Sequence, residues 1–168
     1  MKYILALFIV LSAGLASMPG TANQEIPVGG TLLNLPMQGL TGTSTFLSEY
    51  RGKPLIINVW ASYCGPCLAE MGSLERLWQR YGDQFNIIGI SIDDYRERAD
   101  QFLAKADTSF PHYIDRNLQL ESMLGAKTIP VTLLIDAESR ILEKVHGAQE
   151  WDSPEIIEVI SQFYEFDL

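Results

Sequence analysis

The chain has 168 residues, a net charge of −9, 47% hydrophobic residues and 20% charged residues. That balance belongs to a globular domain with one proper core and excludes a disordered or low-complexity protein. So acidic a surface also argues against nucleic acid or anionic lipid as a partner.

Residues 1–22 read as a secretory leader. Lys2 is a thin n-region, and Tyr3 to Leu15 form an apolar h-region too short for a comfortable membrane span. Pro19 breaks the run, and Gly20-Thr21-Ala22 supplies small residues for cleavage; a cut after Ala16, or retention as an N-terminal anchor, stays open. Residues 23–168 then form a single folded domain. Export would place its cysteines in an oxidising compartment, where a dithiol is a working redox centre.

Thr31 to Pro36 and Thr43 to Leu47 flank a Gly/Thr-rich turn and predict a small β-hairpin, followed by one helical turn at Ser48 to Tyr50. Leu55 to Ala61 is apolar on both faces apart from Asn58, as buried parallel strands are. Met71, Leu74, Leu77, Trp78 and Tyr81 recur at spacings of three and four, which predicts a helix over 64–81 that Gly82-Asp83 stops. Phe85 to Ile92 is the next buried strand, and Tyr95 to Lys105 a helix with Phe102 and Leu103 inward. Pro111 to Ile114 suits a short edge strand, and Asn117 to Leu124 a short helix closed by Gly125. Val131 to Asp136 and Ile141 to His146 form an antiparallel pair. Ser153-Pro154 starts a last helix with Ile156, Ile157, Ile160 and Phe163 as its stripe. The order predicts an α/β fold, a mixed sheet with helices on both faces.

Both cysteines lie in Trp60-Ala61-Ser62-Tyr63-Cys64-Gly65-Pro66-Cys67, where the central strand hands over to a helix. At a helix start the unpaired N–H groups and the dipole favour an anion, so the Cys64 thiol should ionise below its free pKa of about 8.5. Pro66 fits because the first turn does not need its missing N–H. Cys67 follows one turn later, close enough to close a small disulfide ring and to resolve a mixed disulfide formed on Cys64. A purely structural disulfide would gain little from so short a loop. Zinc needs four ligands, and His112 and His146 lack paired spacing. We favour thiol–disulfide exchange over both.

These residues resemble the thioredoxin superfamily, in its exported TlpA/ResA-like (DsbE/CcmG-like) branch. The motif is close to that branch's WASWCGPC, and Thr128-Ile129-Pro130-Val131-Thr132 resembles the loop carrying the family's cis-proline. Leu133-Leu134-Ile135-Asp136 matches the strand that follows, and the N-terminal hairpin and the βα insertion between Asp93 and Gly125 are what that branch adds. The likeness runs from about Pro27 to the C-terminus.

The resemblance implies a thioredoxin-like fold and a role for Pro130. A cis Ile129–Pro130 bond would bring its loop against the cysteines and offer the Ile129 backbone to an extended client. It implies client contacts at Trp60, Tyr63, Gly65, Pro66, Thr128 and Ile129, with Trp60 also packing beneath the site. Glu70 stands where a branch glutamate assists proton transfer, against the bland reading of a solvated surface residue. Asn58 replaces the buried aspartate of many thioredoxins and cannot take a proton, which leaves that task to Glu70. His112 and His146 belong to no motif and are expected at an edge or the surface.

The implied activity is reduction of disulfides in exported proteins, such as an apocytochrome c CxxCH pair. The implied potential lies toward thioredoxin's value of about −270 mV. A membrane reductant of the DsbD/CcdA type would recharge a monomeric, periplasmic or otherwise extracytoplasmic chain. No dissociable cofactor is implied, since the electrons sit on Cys64 and Cys67. Three rivals remain: an oxidase with a potential near about −120 mV, a peroxidase, and a copper-binding assembly factor. The chain lacks the Pro-x-x-x-Thr-x-x-Cys setting of the peroxidase and the CxxxC of the copper protein.

Overall fold

The computed structural model describes residues 24–165. Its strands are β1 (Pro36–Gly39), β2 (Thr45–Phe46), β3 (Leu55–Trp60), β4 (Asn86–Ser91), β5 (His112–Ile114), β6 (Val131–Ile135) and β7 (Ile141–His146). The helices are α1 (Gly65–Tyr81), α2 (Arg96–Ala106), α3 (Gln119–Leu124) and α4 (Pro154–Tyr164), with a 3₁₀ turn at Leu47–Tyr50. The sheet order is β2-β1-β5-β4-β3-β6-β7. Strands β3, β4 and β5 run parallel, while β6 pairs antiparallel with both β3 and β7.

All six residues of β3 are buried, and alternation along it divides the core. Ile56 and Trp60 pack with Met71, Leu74 and Leu77 of α1, Phe102 of α2 and Ile160 of α4. Leu55, Ile57 and Val59 face the other way, against Leu120, Met123 and Leu124 of α3 and the hairpin's Met37. The expected mixed sheet with helices on both faces is therefore present.

Three expectations shift. The first hairpin strand is Pro36–Gly39, not Thr31 to Pro36, because the start of the earlier segment is drawn onto the turn that leads into β7: Gly29 N–H donates to Ile141 O at 2.8 Å, Leu32 N–H donates to Ser139 O at 2.8 Å, and Thr31 bridges Arg140. The hairpin turn then brings Gly39 so close to Gly42 that a Cβ on Gly39 would lie 2.1 Å from a carbonyl oxygen. In α4, Ile160 and Tyr164 form the buried stripe and Phe163 falls on its exposed flank; the Tyr164 hydroxyl donates to Leu55 O at 2.9 Å.

The third shift concerns β5, which lies inside the sheet because β1 adds outside it, pairing Gln38 with Ile114. His112 is consequently buried, not peripheral. It meets Trp60 edge-on, packs on Phe110, and holds Thr108 Oγ1 at 2.8 Å through Nε2. A Cβ on Gly89 would stand 2.1 Å from its Nδ1, so the neighbouring strand must carry glycine there. His146 is exposed, as expected.

Burial pushes the His112 pKa down to about 3. The unfolded ring takes a proton near about pH 6.5, so the unfolded chain binds more protons between those values. Stability is full above that window and falls as pH drops through it, by up to roughly 1.4 kcal/mol per pH unit. We expect His112→Gln to lose less stability than the parent between pH 7 and pH 4. Urea unfolding at both pH values measures the difference.

Candidate active site

Strand β3 ends at Trp60, a turn over 61–63 follows, and α1 begins at Gly65 with Cys64 as its N-cap. Cys64 has extended backbone angles (φ −94°, ψ 99°), and its Sγ accepts the Cys67 N–H at 3.2 Å. Sulfur thus occupies the place a serine or aspartate oxygen takes at ordinary helix starts. Pro66 sits in the first turn, which carries no acidic residue to compete with an anion there. Cys64 and Cys67 are joined in a disulfide with their Cα atoms 5.3 Å apart. Cys64 is 7% exposed and Cys67 is fully buried, so an incoming partner meets Cys64 first.

The turn before Cys64 is held by a residue the sequence did not single out. Buried Asp93, just beyond β4, accepts Ser62 N–H at 2.9 Å, Ser62 Oγ–H at 2.6 Å and Ser91 Oγ–H at 2.7 Å. Its position after a buried strand was visible, but its partner lies 31 residues upstream.

Glu70 is not a solvated helix residue: it is 2% exposed. Its Oε1 accepts Asn58 Nδ2–H at 2.7 Å. Its Oε2 accepts the Trp151 indole N–H at 3.0 Å and the Gln149 backbone N–H at 3.1 Å. Asn58 in turn donates to Thr132 Oγ1 at 2.8 Å, opposite it in the β3–β6 register. Burial pushes the Glu70 carboxyl above its ordinary range, against the downward pull of Trp151, Asn58 and Gln149. Ser73, one turn further along α1, accepts Trp151 N–H at 3.0 Å, and Arg76 grips Asp152 through two nitrogens at 2.6 and 2.9 Å. One face of α1 therefore fastens the segment leading into α4. Trp151, Gln149 and Thr132 carried no sequence signal for this role.

The Ile129–Pro130 peptide is cis, as the resemblance implied, and Pro130 is buried immediately before β6. Thr128 is exposed and Ile129 half-buried; around the cysteines Tyr63 is 71% exposed, and Gly65 and Pro66 are open to solvent. Trp60 corrects an expectation. It is fully buried and stacked on Phe102 with ring centroids 4.3 Å apart, so it supports the site from beneath and cannot touch a client. Among the described residues, no group of three His, Cys, Asp or Glu side chains is placed to hold a metal ion.

Comparison with known proteins agrees with this geometry. The sequence model of the Redoxin family matches residues 21–160. The thiol-disulfide oxidoreductase ResA of Halalkalibacterium halodurans is 33% identical over 135 residues, covering 79% of this chain and 76% of that protein. ResA of Geobacillus thermodenitrificans is 28% identical over 128 residues, covering 76% and 74%. Among solved structures, a DsbE-type thiol:disulfide interchange protein from Chlorobium tepidum superposes with a TM-score of 0.75 at 24% identity, over 83% of this chain and 99% of that one. The chain belongs to the redoxin family, as a thiol-disulfide oxidoreductase of the ResA type with Cys64 and Cys67 as its redox pair.

Proposed function

We propose that this protein reduces disulfides of exported proteins, with Cys64 as nucleophile, Cys67 as resolving thiol and Glu70 as the acceptor of the Cys67 proton. The observation that carries the reading is the contrast along one helix: Cys64, 7% exposed, caps the start of α1, while Cys67 and Glu70 are buried within its first two turns. In the dithiol form the Cys64 thiolate, stabilised by the helix N-terminus, attacks a client disulfide and expels one client thiolate. Cys67 gives its proton to Glu70, and its thiolate attacks Cys64 sulfur. The Cys64–Cys67 bond forms, the second client thiolate leaves, and two electrons have passed to the client.

Tyr63, Gly65, Pro66, Thr128 and Ile129 frame the approach, and a client strand would run beside Pro130. No dissociable cofactor enters these steps. The leader-like residues 1–22 support an extracytoplasmic site of action, and a DsbD/CcdA-type membrane dithiol suits the recharging step. No helix among the described residues is long and apolar enough to cross a membrane. An apocytochrome c CxxCH pair, or a wrongly paired disulfide, is the client class; the chain acts as a monomer.

The direction of exchange is tested by equilibrating the pair against glutathione buffers. We expect a potential toward thioredoxin's value of about −270 mV. A value near about −120 mV would make the protein an oxidase instead.

A further inference from the structure

The atoms around Glu70 are not equivalent. Oε2 faces the Gln149 backbone N–H and the Trp151 indole N–H, at 3.1 and 3.0 Å, and both groups can only donate. Oε1 faces the Asn58 carboxamide nitrogen at 2.7 Å. The other end of that carboxamide, Oδ1, is buried without a hydrogen-bond partner. An orphaned acceptor so close to a buried acid requires an explanation.

With Glu70 ionised, three N–H groups meet two oxygens and the acid is satisfied. A protonated Glu70 must also donate, and neither hydrogen-bond partner of Oε2 can accept. The proton therefore belongs on Oε1, toward Asn58. Of the three neighbours, only Asn58 can reverse its sense: turning the carboxamide over exchanges Nδ2 for Oδ1. Thr132 tolerates either orientation, since its hydroxyl can accept from the nitrogen or donate to the oxygen. No charged side chain pairs with Glu70 among the described residues. Strand β3 presents Asn58, β6 presents Thr132, and the segment before α4 presents Gln149 N–H and Trp151; Arg76 on α1 is engaged with Glu150 and Asp152.

We propose that Asn58 is the positioning residue for the proton-transfer step, its amide donating to Glu70 as carboxylate and, turned over, its carbonyl accepting from Glu70 as acid. This rests on Glu70 receiving the Cys67 proton. In that step the Cys67 S–H bond breaks, an O–H bond forms on Oε1, and the Asn58 carboxamide rotates; no electrons move until the thiolate attacks Cys64. An aspartate at position 58 would compete for the proton, and an apolar residue would leave the acid's O–H without an acceptor. The carboxamide does neither.

The test is NMR on the full-length protein, following the Asn58 side-chain NH₂ signals and the Glu70 side-chain carboxyl carbon against pH. We expect both to move with one midpoint, the Asn58 protons shifting upfield as Glu70 gains its proton. Glu70→Gln, whose NH₂ occupies the Oε1 position as a permanent donor, should hold the Asn58 signals at their acid-form values at every pH. Asn58 signals that stay flat while Glu70 titrates, or that keep their carboxylate-form position in Glu70→Gln, overturn the proposal. The underlying reading fails separately: if Glu70→Gln resolves mixed disulfides at the parental rate, Glu70 is not the proton acceptor, whatever Asn58 does.

Discussion

Replacing Cys64 by alanine reduces insulin-disulfide cleavage to the rate of dithiothreitol alone. Cys64 is the more exposed of the two cysteines, and it is the one set at the N-cap, where the helix's free N–H groups favour the thiolate. Cys67 has no surface and cannot substitute as nucleophile. The complementary variant, Cys67→Ala, behaves differently: Cys64 still attacks, no internal thiol follows, and each chain retains one client as a mixed disulfide. Non-reducing electrophoresis shows that adduct as a band that reducing agent removes. Should Cys64→Ala cleave insulin as fast as the parent, Cys64 is not the nucleophile.

Glu70→Gln slows release of the client by about 100-fold at neutral pH, the low end of what a positioned acid–base group contributes. The first attack needs only the Cys64 thiolate, so mixed disulfide accumulates; quenched-flow with a labelled peptide disulfide separates the two steps. The substitution also changes stability, with a sign that follows from the raised pKa. Below the ordinary carboxyl range Glu70 is protonated whether folded or not, and the acid adds no pH-dependent cost. As pH rises through the elevated folded pKa, the native state must bury a charge that the unfolded chain exposes freely, and stability is lost. The glutamine variant escapes that loss, so its stability relative to the parent improves from pH 4 to pH 8. Denaturant midpoints at the two pH values measure it, and equal differences would mean that folding leaves the Glu70 pKa unshifted.

The redox pair was legible because every local signal agreed: an apolar strand, two cysteines with the proline between them, and a 3.6-residue stripe behind. Pro130 was legible through its flanking residues. Elements defined by distant partners were harder to read. Whether β5 is an edge depends on where β1 docks, and the two pair across more than 70 residues, so His112 looked peripheral when it is buried. Trp60 sits inside the motif and resembles a contact residue, yet strand alternation turns it into the core with Ile56. For Glu70, spacing gave proximity to Cys67 but not enclosure. The residues that enclose it, Gln149 and Trp151, come 79 and 81 positions later. Nothing local to either reports that contact.

Because those late residues complete the surroundings of Glu70, the enclosure of that carboxyl stays unfinished while the chain is being made. A nascent polypeptide that already holds both cysteines but has not released Trp151 has no indole for Oε2, no anchor on Ser73, and no Tyr164 clasp on Leu55. Its thiols can meet oxidants during that interval, before the surroundings of Glu70 are in place. A chain terminated before Trp151 therefore carries both cysteines without the hydrogen bonds that enclose Glu70.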